Sequence, residues 1–210
     1  MKKITLLSAI AALILASCAG NPEGQKAATS DAVELTDAAE GTTFSVDAEA
    51  SKVVWTGTKV TGEHFGTVDI KSGSVIVNEG AIVGGEFVID MNSISADDLE
   101  GEYKEKLDGH LKSDDFFSAG SYPEAKFTIT EVNPSETAGQ VTISGNLEIK
   151  GISKNISFEA TTEQATENSI TTKANFNIAR ADWNVSYEGK PDDLISKEIN
   201  FDITLVANQE

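Results

Sequence analysis

Cysteine and arginine each occur once in the 210 residues, and histidine only twice. A single thiol rules out a disulfide framework, and no Gly-x-Ser-x-Gly elbow supplies a hydroxyl nucleophile instead. His64 and His110 have no partner histidine at metal-ligand spacing. Positive charge is scarce: 16 Lys and Arg stand against 34 Asp and Glu, a net charge of -18. Such a surface repels polyanions and offers no basic footprint for nucleic acid. The acidic pairs Asp97-Asp98, Asp114-Asp115 and Asp192-Asp193 read as helix caps and solvated turns, because sequence neighbours seldom converge on one substrate atom. An enzyme is therefore the least supported class. With 40% apolar residues, the chain can bury one sizeable core, and one folded domain is expected.

The first seventeen residues read as a targeting segment. Lys2 and Lys3 precede an apolar stretch, Ile4 to Leu15, which ends in Ala16-Ser17 and is too short to span a bilayer. The run Leu15-Ala16-Ser17-Cys18 resembles a bacterial lipobox. That resemblance implies cleavage before Cys18, acylation of this cysteine and a lipid anchor in the cell envelope, on the outer membrane facing the periplasm. Several acyl chains at ~0.8 kcal/mol per buried methylene make a firm anchor. Residues 18–41 contain no aromatic side chain and read as a flexible acidic linker. As a free coil it reaches roughly 25 to 30 Å, enough to lift a domain at 42–210 clear of the headgroups.

The rest alternates with period two, the mark of strands with one dry and one wet face. Val141, Ile143, Gly145, Leu147 and Ile149 share a face, as do Phe87, Ile89 and Met91; Ala125, Phe127 and Ile129; and Ile199, Phe201, Ile203 and Leu205. Turn residues at 78–80, 133–135, 150–151 and 166–168 divide the chain into eight or nine strands, at 42–47, 51–60, 66–77, 82–91, 124–132, 139–149, 153–162, 169–180 and 196–207. Long strands joined by short turns predict an all-β antiparallel meander, closed as a barrel or curled into a sandwich. One segment has helical period: Leu99, Tyr103, Leu107 and Leu111 predict a helix over 95–111, with Ser95 and Asp98 as its capping box. On the strand 170–180, Phe176, Ile178 and Arg180 share the inward face. An inward cation needs a partner, either a salt bridge with Asp182 or a nearby glutamate, or the polar end of a ligand.

Several motifs carry a family resemblance. Trp55-Thr56-Gly57-Thr58-Lys59 with His64-Phe65-Gly66 is one, and Gly85-Glu86-Phe87-Val88-Ile89-Asp90-Met91 another. Leu107-x-x-His110-Leu111-Lys112-Ser113-x-Asp115-Phe116-Phe117 precedes Tyr122-Pro123-x-Ala125-x-Phe127, and Leu147-x-Ile149-Lys150-Gly151 and Arg180-x-Asp182-Trp183 follow in order. Together they resemble the YceI-like family of polyisoprenoid-binding proteins, with Asn184 standing where the family has glycine. The resemblance implies an extended eight-stranded antiparallel lipocalin-like β-barrel with one helix, no catalysis and no cofactor. Its tunnel is expected to take an isoprenoid lipid of the quinone or polyprenyl phosphate type. Phe65, Phe87, Met91, Phe116, Phe117, Phe127, Phe176 and Ile178 are the expected tunnel contacts, with Arg180 at the headgroup and His64, His110 and Trp183 near it. The residue pattern by itself leaves open a solid-packed barrel, an interaction or envelope-stress module without cargo.

Overall fold

Strands form where side chains alternate, because a pleated ribbon puts successive residues on opposite faces. The computed structural model describes residues 20–35, 39–137 and 139–209. Its strands are β1 (Gln25–Lys26), β2 (Ala28–Asp31), β3 (Thr42–Val46), β4 (Lys52–Lys59), β5 (Gly62–Asn78), β6 (Ala81–Ala96), β7 (Glu124–Pro134), β8 (Gln140–Ile149), β9 (Ile152–Ala165), β10 (Ser169–Ala179), β11 (Gly189–Lys190) and β12 (Asp193–Gln209). One α-helix, α1 (Gly101–Lys112), lies between β6 and β7, and a short 3-10 turn, Arg180–Trp183, follows β10.

β5 to β10 run as an antiparallel meander, and β12 returns beside β10. β4 and β3 share one position in the wall, pairing with opposite ends of both β5 and β12. Pairing of β9 with β10 closes the ring as an eight-stranded antiparallel barrel, so the barrel alternative holds over the sandwich. Closure removes sheet edges that would otherwise seek another strand. The β8–β9 hairpin turns on Lys150 and Gly151, both at positive φ (51° and 71°), the pairing a tight two-residue hairpin demands. Asn184, at φ 55°, also sits in the left-handed region, which Asn tolerates better than most side chains. That accounts for its replacing glycine.

Two expectations fail. The helix begins at Gly101 rather than at Ser95, because Ser95 and Ala96 still pair with Thr67 and Gly66 in the ladder of β6 with β5. Ser95 caps nothing; its hydroxyl donates to Asp108 Oδ2 (2.9 Å), and Asp108 Oδ1 accepts from the Ala96 N–H (2.7 Å), pinning α1 to the end of β6. Leu111 and Leu107 turn toward the core while Tyr103 stays exposed.

The second failure is the linker. Over residues 20–35 the chain lies on the barrel. β9 and β10 pair directly only between Ala160–Ala165 and Ile170–Ala174, and the N-terminal segment is built into the wall beyond that. β1 pairs parallel with β10 at Phe176 and Asn177, and β2 pairs antiparallel with β9 from Lys154 to Ser157. Between them Ala27, 4% exposed, enters the main core cluster. A ladder recruits backbone groups whatever the side chains, so a composition too polar to fold alone can still complete a sheet. The targeting segment and Cys18 lie outside the described residues.

Candidate functional site

Inward-facing residues of the barrel surround a slender cavity of about 250 Å³, so the inward stripes do not pack solid. At one end the lining is aliphatic: Val75, Ile82, Ile129, Ile143 and Ala160. Thr172 and Lys173 are the polar exceptions there, and the Thr172 hydroxyl is buried with no hydrogen-bond partner. The middle is aromatic. Phe158 and Phe176 stack at 4.1 Å between centroids, and Phe127 and Phe201 flank them at 5.8 and 6.1 Å. Gly145 makes room for this: a Cβ there would lie 2.4 Å from the Phe127 ring. At the other end the lining turns polar, with Lys59, His64, His110, Arg180 and Glu198. Lys59 and His64 keep 30% and 29% side-chain exposure. This end is therefore the mouth.

Arg180 is 4% exposed, yet no salt bridge to it forms among the described residues. Instead Nε donates to the Ser196 carbonyl (2.8 Å) and one terminal nitrogen to the Val185 carbonyl (2.6 Å), with Ile195 O at 3.5 Å from the other. The guanidinium also lies 5.9 Å from the Phe116 ring centre, within cation–π range. Burial pushes its pKa down, and the field of Glu188 partly offsets that; it remains charged at any ordinary pH. Of the two roles the sequence left open for this cation, the salt bridge with Asp182 or a nearby glutamate does not form among the described residues. The mouth thus holds a desolvated cation hydrogen-bonded only to backbone carbonyls among the described residues, with Glu188 acting on it at a distance and N–H groups to spare out of five.

Around it, His110 meets Phe116 and Tyr187 edge to face at 5.4 and 4.7 Å. His64 Nδ1 lies 2.7 Å from Asp98 Oδ2, and the Phe65 N–H donates to the other oxygen of Asp98 (3.2 Å). Asp98 therefore orients a mouth residue rather than capping a helix. Lys150 Nζ donates to the carbonyls of Phe116 (2.8 Å) and Asn184 (3.2 Å), tying the two loops of the mouth together from the hairpin turn.

Of the residues expected at the ligand, His64, Phe87, Met91, His110, Phe116, Phe117, Phe127, Phe176 and Arg180 line the cavity. Three do not. Phe65 faces outward at 43% exposure, because its parity on β5 is opposite to that of His64 and Gly66. Ile178 is buried in the core cluster without reaching the cavity surface. Trp183, with 0% exposure, packs behind the lining, and its indole N–H donates to the Leu147 carbonyl (3.0 Å). Lys59, Phe158 and Glu198 line the cavity and were missed as site residues. Phe158 was legible from its alternation with Ile156, whereas Lys59 and Glu198 carry no apolar signal.

A family model described as the YceI-like domain matches residues 44–207. A curated relative, a UPF0312 protein of Yersinia enterocolitica, is 36% identical over 73 residues, covering 35% of this chain and 34% of that one. The matched stretch thus spans about a third of that relative's length. Among solved structures, BcnA of Burkholderia cenocepacia aligns with a TM-score of 0.58 at 20% identity, covering 77% of this chain and 99% of the other. A polyisoprenoid binding domain from Saccharophagus degradans, implicated in plant cell wall breakdown, aligns with a TM-score of 0.60 at 18% identity, covering 80% and 98%. At these identities the structural likeness speaks for the barrel, and the family model spans nearly all of that barrel: the chain belongs to the YceI-like domain family.

Proposed function

We propose that this protein binds a long-chain isoprenoid lipid, of the quinone or polyprenyl phosphate type, in the barrel tunnel, and carries or stores it in the cell envelope from an acyl anchor at Cys18. It is a binding protein rather than an enzyme. One observation carries the reading: a slender apolar cavity, aromatic in its middle, ends at a buried arginine without a carboxylate partner. A hydrocarbon chain suits the walls, and a phosphate or quinone oxygen suits the cation at the mouth. The Saccharophagus domain of similar fold is described as polyisoprenoid binding, which supports the same ligand class. The open cavity argues against the cargo-free module.

The test is extraction. The Cys18→Ser chain, purified without detergent, is delipidated with organic solvent and the extract weighed by mass spectrometry. An isoprenoid near one mole per mole of protein is expected. A barrel that folds, carries no lipid and fails to take up added polyprenyl phosphate or quinone would overturn the proposal.

A further inference from the structure

The N-terminal strap runs to the mouth. The Gly20 carbonyl accepts a hydrogen bond from Thr58 Oγ1, a residue of the cavity lining. Asn21 Oδ1 accepts from Ser196 Oγ (3.0 Å), and the Pro22 carbonyl accepts from Asn177 Nδ2 (2.9 Å). Asn177 and Asn200 are buried beneath it and joined to each other at 2.8 Å. Gly24, at φ 144°, passes so close that a Cβ would lie 2.3 Å from Asn200 Nδ2 and 2.4 Å from Asn177 Oδ1. From Gln25 to Asp31 the strap is part of the wall. The matched family domain starts at residue 44, so the strap lies outside it.

Only two residue steps separate Gly20 from Cys18, a reach of roughly 7 Å even fully extended. We infer that the strap holds the tunnel mouth against the lipid bilayer, so that the ligand passes between membrane and tunnel with little exposure to water. This rests on the reading of Cys18 as acylated. A free linker would let the barrel tumble well away from the headgroups; a strap bonded at the mouth fixes which end faces them. Large apolar side chains agree. Val60, Phe65, Tyr103 and Leu194 are exposed at the mouth end and Val33 and Leu35 past the end of β2, whereas the far-end loops at 78–80, 135–137 and 166–168 expose none. The partner surface is zwitterionic lipid, since a chain of net charge -18 is repelled by an anionic one.

Single-cysteine variants carrying an environment-sensitive fluorophore test this. Val60→Cys and Leu194→Cys report on the mouth, Glu79→Cys and Glu167→Cys on the far end. Each is read on phosphatidylcholine vesicles containing a headgroup nitroxide quencher. One arm uses the acylated protein; the other replaces residues 1–17 by a histidine tag, carries Cys18→Ser and binds through nickel-chelating lipid. Quenching several-fold stronger at 60 and 194 than at 79 and 167 is expected in both arms. Equal quenching at all four positions in the tagged arm overturns the orientation. If the first arm fails to bind while the tagged arm keeps the contrast, acylation is wrong and the orientation stands. Inserting about 20 Gly/Ser residues between Ala19 and Gly20 adds roughly 25 Å of flexible reach and should erase the contrast; a contrast that persists overturns the role of the strap.

Discussion

Arg180 holds the carbonyls of Val185 and Ser196 as well as facing the cavity, so its loss touches stability and binding together. Arg180→Met leaves buried carbonyls unpaired and should cost about 3 kcal/mol in a urea melt of the lipid-free protein, with Arg180→Lys costing about half. An unchanged melt would contradict these bonds. Thr172 runs the other way. Its hydroxyl is buried and unpartnered among aliphatic lining residues, so Thr172→Val should stabilise the empty barrel by about 1 kcal/mol. Affinity for a polyprenyl ligand should be kept, and a fall in affinity would place a polar ligand atom at the far end. Asp193 sets an acid limit on the mouth. Hydrogen bonds from Lys59 Nζ (2.9 Å) and from Thr61 hold its carboxyl below the ordinary 3.8. A depressed pKa means this contribution is complete above the unfolded-state value and disappears as pH falls through the folded one. In melts from about pH 5 down to pH 2, the advantage of wild type over Asp193→Asn should shrink toward zero.

The strap between β9 and β10 is held by backbone pairing, by the Asn177–Asn200 couple and by the absence of a side chain at Gly24. Gly24→Ala forces a Cβ into those amides and should free the segment at a cost of about 1 to 3 kcal/mol, the range for broken buried hydrogen bonds. Limited proteolysis read by mass spectrometry checks it: cleavage within 20–35 should become fast while the barrel from β3 onward stays intact. Protection equal to wild type would show that the strap tolerates the intrusion. Helix α1 behaves as a docked element in the same way. Its register is set by Asp108 on the end of β6 and by Leu107 and Leu111 on the core, not by a side-chain cap at its N-terminus.

For the molecule as a whole, the acidic surface decides what the proposed anchor has to do. With a net charge of -18 over its 210 residues the protein gains nothing from anionic lipid, so the proposed membrane attachment rests on covalent acylation at Cys18. Cys18→Ser expressed in a Gram-negative host should lose fatty-acid labelling and move from the membrane to the soluble envelope fraction. Retained labelling would end the lipoprotein reading.

How far the barrel could be read in advance depends on the range over which each signal acts. Period-two alternation is local, and it placed nine strands to within a few residues and turned Phe87, Phe127, Phe176 and Phe201 inward before any contact was known. Turn chemistry at Lys150-Gly151 was equally local. Closure was not. Whether the inward face packs solid or leaves a tunnel depends on how eight wall positions curve together. The same curvature decides that Phe176 lines the cavity while Ile178 and Trp183 pack behind it. Ser95 followed the ladder of β6 rather than a cap because pairing across the sheet outweighs a weak local preference. Arg180 found carbonyls 5 to 16 residues away instead of the adjacent Asp182. The strap was the least visible of all, since residues 20–31 bind mainly through backbone N–H and C=O groups, which every sequence has, to a gap that exists only once β9 and β10 have diverged.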